Sequence, residues 1–110
     1  MKDIRFCSGS LEALRDFPVV AKREAGYQLD RVQHGLEPTD WKPMPSIGPG
    51  VREIRIMHEG QFRVIYIAKL ADAVHVLHAF QKKTQKTRQK DIDAAKQALK
   101  QLKQRGMGDE

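Results

Sequence analysis

Residues 61 to 69, QFRVIYIAK, carry apolar side chains at both even positions (Phe62, Val64, Tyr66) and odd ones (Ile65, Ile67). Alternate residues of a strand point to opposite faces, so a strand of this composition must be covered by protein on both sides. It belongs in the middle of a sheet with a layer packed above and another below. Its neighbours are at hand. VREIRIMH (51–58) precedes it across Glu59-Gly60, which reads as a tight two-residue hairpin because Gly accepts φ > 0. AVHVLHAF (73–80) follows it after the Leu70-Ala71-Asp72 turn.

The layers come from the flanking segments. Ile4 and Phe6 alternate with polar residues in a short first strand. Ser8 or Ser10 can cap a helix bearing Leu11, Leu14 and Phe17, which Pro18 ends while opening the next. That helix, 18 to 34, buries Ala21, Ala25, Leu29 and Val32 and stops at Gly35, a natural left-handed position. Residues 35 to 50 hold four prolines and three glycines, so neither helix nor ladder is expected there, and Trp41, Met44 and Ile47 read as anchors of a loop. A last helix, from about Arg88 to Arg105, buries Ile92, Ala95, Leu99 and Leu102, with Asp91 and Asp93 at the positive end of its dipole. The expected fold is α+β, in the order β-α-α-β-β-β-α. A small antiparallel sheet carries a helical hairpin on one face and a basic C-terminal helix behind the last strand. With 110 residues this is a single domain, 1–110, whose residues 106–110 read as a flexible tail.

The formal net charge is +6, and the excess is concentrated: from Lys82 to Arg105 nine Lys or Arg face only Asp91 and Asp93. An anionic partner is the direct reading of such a stretch. Cys7 is the only cysteine, which excludes an internal disulfide and a cysteine-based metal site. The start, MKDIRFC, lacks the apolar run of a secretory signal, and no segment has the roughly 18 apolar residues of a membrane span. A cytoplasmic protein without a membrane partner is expected.

Strand register locates the chemistry. With Glu59 and Gly60 as the loop, His58 pairs with Gln61 and Ile56 with Arg63, so Arg63 shares its face with Arg52 and His58 while Arg55 points away. A single-residue bulge would exchange Arg52 for Arg55. If Lys69 pairs with Val74, Arg63 lies opposite Phe80 and Ile65 opposite His78, with His75 on the other face. Arg63, His78 and Phe80 then converge, and the chain leaving Phe80 brings Lys82 and Lys83 to the rim, followed by Lys86 and Arg88. An arginine at the centre of such a sheet is not expected to be packing, because an unpaired buried guanidinium is strongly unfavourable.

The pair of strands with E-I-R (53–55) and G-Q-F-R-V-I-Y (60–66), followed by V-H-V-L-H-A-F-Q-K-K-T (74–84), resembles the HigB-type, phage-derived branch of the RelE/ParE toxin superfamily. The likeness covers nearly the whole chain, and FQKKTQKT is its most specific piece. The resemblance implies the toxin of a toxin–antitoxin pair: a ribosome-dependent mRNA endonuclease needing no metal or other cofactor, neutralised by a cognate helix-turn-helix antitoxin. The implied catalytic residues are Arg63, on the phosphate, with Lys82 as base and Lys83 as stabiliser or proton donor. Arg52, Arg55, His78, Phe80, Lys86 and Arg88 would hold RNA and ribosome. Nothing after Phe80 is the late tyrosine or histidine that several such nucleases carry, and His34, His58 and His75 pair with no metal-ligand partner at suitable spacing. Two other classes fit the same fold: a ParE-like toxin acting on DNA gyrase without cleaving RNA, and a plain nucleic-acid-binding module.

Overall fold

The computed structural model describes residues 1–68 and 73–105. The expected Leu70-Ala71-Asp72 turn, the Lys69–Val74 pairing and the tail after Arg105 lie outside the described residues. The order is β1 (Asp3–Phe6), α1 (Ser10–Arg15), α2 (Val19–Gln33), β2 (Trp41–Pro43), β3 (Val51–Met57), β4 (Gln61–Ile67), β5 (Ala73–Lys82) and α3 (Gln89–Gln104). The strands form one sheet in the order β1-β5-β4-β3-β2, with β4 near its middle and buried along six of its seven residues. The α+β architecture is the expected one. No helix among the described residues is long and apolar enough to cross a membrane.

Two differences from the expected sheet concern its edges. β1 runs parallel to β5, Ile4 opposite Val74, while the remaining pairings are antiparallel. The chain leaves β1 over the α1–α2 hairpin and re-enters the sheet at its far edge. The proline-rich loop also contributes a ladder: Trp41, Lys42 and Pro43 pair with Ile54, Glu53 and Arg52. Proline is tolerated there because β2 is an edge strand, where an N–H can go unused. Met44 and Ile47 are buried, as anchors should be.

The two faces bury two cores. On one, α1 and α2 bring Leu14, Phe17, Ala21, Ala25, Leu29 and Val32 against Ile54, Ile56, Phe62, Val64, Tyr66, Val74, Val76 and Ala79. On the other, α3 sets Ala95, Leu99 and Leu102 against Val51, Ile65, Ile67 and Leu77. The α2 stripe is as read from its spacing, and Gly35 closes the helix at φ 82°. The cap of α1 is not a serine: Gly9, at φ 75°, holds that position, while the Ser10 hydroxyl lies 2.6 and 3.1 Å from the Cys7 and Val76 carbonyl oxygens.

Register follows from those cores. Met57 pairs with Gln61, Arg55 with Arg63 and Ile54 with Val64, so the hairpin loop has three residues, His58-Glu59-Gly60, and not two. Glu59 takes φ 49° and Gly60 φ 141° to turn it. A one-residue slip exchanges the faces of a whole strand. The two-residue loop would have set Ile54 and Ile56 on the face of Arg63, whereas the longer one sends them into the α1–α2 core and brings Arg55 beside Arg63. Along β4–β5, Arg63 pairs with Phe80 and Ile65 with His78, as expected, but the register then shifts so that Tyr66 meets Val76 and Ile67 meets His75. Leu77 is the extra residue of this bulge. Consequently His75, expected on the opposite face, shares the α3 side with Ile67 and is buried.

Candidate active site

α3 covers only part of its face of the sheet. The same face continues past Ile65 and Leu77 into Lys42 of β2, Glu53 and Arg55 of β3, Gln61 and Arg63 of β4, and Phe80 and Lys82 of β5. A charged patch thus extends directly from an apolar core, which places its inner members in low-dielectric surroundings.

Arg63 is 5% exposed, and each of its guanidinium nitrogens has an acceptor nearby. Nη1 donates to the Phe62 carbonyl at 3.0 Å and Nη2 to Gln61 Oε1 at 2.9 Å, while Nε lies 3.5 Å from Glu53 Oε1. Burial pushes the Arg63 pKa down, Glu53 holds it up, and Arg55 adds a smaller lowering. An arginine buried at the centre of a sheet is unfavourable only while unpaired, and Glu53 gives Arg63 an ion-pair partner. Gln61, the acceptor at the outer edge of the guanidinium, is exposed, and a phosphate oxygen could take its place.

Lys82 ends β5 opposite Gln61. Its pKa is lowered by partial burial and then by Arg63, with Glu53 opposing and Lys42 and Arg55 adding to the lowering. A lysine so placed gives up its proton more readily than an exposed one, which a general base requires. Lys83 and Lys86 are exposed, as is Arg88, the N-cap of α3. Lys82, Lys83, Arg88 and Lys90 line a cleft of about 280 Å³ between the end of β5 and the first turn of α3. Lys82 and Lys83 also border a second cleft with Gln61 and Gln85. Lys86 lines neither cleft.

The remaining expected residues divide. Arg55 is on the Arg63 face and binds Asp40 at 3.0 Å. Arg52 is not on that face: it pairs with Tyr66, its guanidinium lies 4.0 Å from the centroid of the Trp41 ring, and it sits 3.6 Å from Glu37. Trp41 is therefore a structural platform at the sheet edge. His58 belongs to the hairpin loop, away from the ladder. His78 lies on the expected side, but its Nε2 is tied to Asp91 Oδ1 of α3 at 2.8 Å. Its ring stacks on Phe80, with centroids 5.4 Å apart and planes at 22°. Phe80 is half-buried against the α3 core.

Glu53, Gln61, Lys42 and Asp91 are members that the sequence reading did not assign to this site. A family model described as phage derived protein Gp49-like (DUF891) matches residues 12–100 of the chain. No curated protein matches it.

Proposed function

The chain belongs to the Gp49-like phage-derived family, and from that premise we propose that it is a toxin that arrests translation by cleaving mRNA on the ribosome and is held in check by a cognate helix-turn-helix antitoxin. The observation that carries the reading is the placement of Arg63 and Lys82 on one partly uncovered sheet face, with Lys83 and Arg88 at the rim of the adjoining cleft.

The proposed chemistry is attack of a ribose 2′-hydroxyl on the adjacent phosphorus, which expels the 5′-oxygen of the next nucleotide. The products are a cyclic phosphate and a free 5′-hydroxyl. The phosphate oxygen displaces Gln61 and takes the Nη2 edge of Arg63. Lys82, in its neutral form, removes the 2′ proton. Lys83 faces the developing negative charge and protonates the leaving oxygen. Lys86 and Arg88 hold the flanking backbone, a sequence-independent and salt-sensitive attachment. Phe80 borders the cleft and can take a base only by its open edge, because its inner side packs on the α3 core.

Converging cations favour this reading over a ParE-like toxin that binds gyrase, which has no phosphate to neutralise. Induction of the full chain in bacteria is expected to stop growth, and coexpression of the antitoxin to restore it. Primer extension on cellular mRNA then separates the classes. Breaks within translated codons mean a nuclease; intact mRNA with stalled gyrase, or no arrest at all, rejects the proposal.

A further inference from the structure

Glu53 is fully buried, yet neither of its carboxylate oxygens accepts a hydrogen bond from the described residues. Burying a carboxylate without donors is costly, and a native fold keeps one only where cations repay it. The cations are present on every neighbouring strand. Arg63 Nε on β4 lies 3.5 Å from Oε1 and Lys42 Nζ on β2 3.9 Å from the same oxygen. Arg55, two residues along β3, is engaged by Asp40, and Lys82 on β5 lies within the electrostatic reach of Glu53. One fixed negative charge thus stands behind a set of positive ones.

We propose that Glu53 is the positioning residue of this site, a buried counter-charge that clamps the inner edge of Arg63 so that only its Nη2 edge is offered to a phosphodiester. The distinction among the three groups around the Arg63 guanidinium, two hydrogen-bond acceptors and one ion-pair partner, supports it. The Phe62 carbonyl is part of the strand backbone and Glu53 is sealed from solvent, whereas Gln61 is exposed and can leave. The geometry therefore leaves a single edge where an anion can exchange for a neutral amide. The same charge restrains the proton loss of Lys82, since Glu53 opposes the lowering that burial and Arg63 impose. Glu53 acts through Arg63 and Lys82 and touches no substrate. The catalytic consequence rests on the nuclease reading above; the effect on the two cations does not.

The test is a pair of NMR measurements on the full chain without RNA. In the wild type, the Arg63 Nε proton is expected to exchange with solvent at least tenfold more slowly than that of exposed Arg15. Equal exchange would overturn the clamp even if no variant folds. The Lys82 side-chain nitrogen is then titrated in the wild type, Glu53→Gln and Glu53→Asp. The Gln variant is expected to move the Lys82 transition to lower pH and to speed Arg63 Nε exchange, while Asp restores the wild-type transition because it keeps the charge. A Lys82 transition unmoved by Glu53→Gln in a folded protein rejects the proposal. In RNA cleavage, Glu53→Gln is expected to lower kcat more than tenfold at nearly constant KM and to shift the rising limb of the pH profile downward. If the wild type does not cleave RNA, the nuclease reading fails while the two NMR outcomes still decide the role of Glu53.

Discussion

Arg55 of β3 stands directly across from Arg63 of β4. Like charges directly opposite in an antiparallel pair repel, and the sheet accommodates them by giving each its own carboxylate. Asp40 binds Arg55 at 3.0 Å from the loop before β2, and Glu53 lies 3.5 Å from Arg63 within the sheet. The repulsion is thereby reduced without removing the positive field toward solvent.

This register distinguishes two arginines that sequence alone leaves interchangeable. Arg55→Ala is expected to reduce RNA cleavage at least tenfold, with loss of part of the salt dependence of RNA binding. Arg52→Ala is expected to leave cleavage within twofold of wild type. It removes the guanidinium from Trp41 at a cost of about 0.5–1 kcal/mol. Fluorescence of Trp41, the only tryptophan, reports the second change, and a cleavage defect in Arg52→Ala would reverse the assignment.

The Arg63–Glu53 pair separates folding from activity. Arg63→Ala strands a buried carboxylate, and removing one partner of such a pair costs about 3–5 kcal/mol. Replacing both, Arg63→Met with Glu53→Leu, removes both buried charges and restores apolar volume, so stability is expected to return to within about 2 kcal/mol of wild type. Growth arrest is expected to stay abolished. Urea denaturation of the two single variants and the double variant measures the coupling. A double variant as unstable as the sum of its parts would show that the two residues do not interact.

How far this was legible from the chain depends on which contacts set it. The pairing of Arg63 with Phe80 followed from placing a tight turn after Lys69, and the α2 stripe from helical spacing. The choice between Arg55 and Arg52 did not follow, because it hangs on whether His58 pairs in the ladder or joins the loop, and a Glu-Gly pair is compatible with either loop length. The Leu77 bulge is likewise decided by packing, which needs Val74 and Val76 on one side and Leu77 on the other. Glu53 reads as an ordinary polar strand position until β2 covers it, and β2 was hidden by its prolines. The parallel β1 is a non-local pairing with no local signal.

Lys82 links stability to pH in a definite direction. Its folded pKa lies below the ordinary lysine value of 10.5. Between the two values the unfolded chain binds more protons than the folded one, so this residue makes stability rise with pH through that window. Below the folded value the penalty is present in full. Lys82→Met removes the charge and keeps the stem, so it is expected to raise Tm at pH 7, to flatten the alkaline rise in stability and to abolish cleavage. A lowered Tm at pH 7 would show that the ammonium group contributes favourable contacts that outweigh its burial.

The His78–Asp91 contact joins β5 to the first turn of α3 and so fixes one wall of the cationic cleft. Asp91 is buried and also sits where the helix dipole favours a negative charge. His78→Ala leaves that carboxylate without its hydrogen-bond partner, a loss of about 1.5–3 kcal/mol for a bond to a charged group. The disturbance should be local, because Ala95, Leu99 and Leu102 still hold the rest of the helix. Hydrogen exchange is therefore expected to quicken first in the amides of residues 91 to 94, ahead of those from Ala98 onward. With Arg88 and Lys90 less firmly placed, RNA binding should weaken severalfold while the Lys82 titration stays where it was. If exchange instead quickens along the whole of α3, the contact supports the entire helix and not the cleft wall alone.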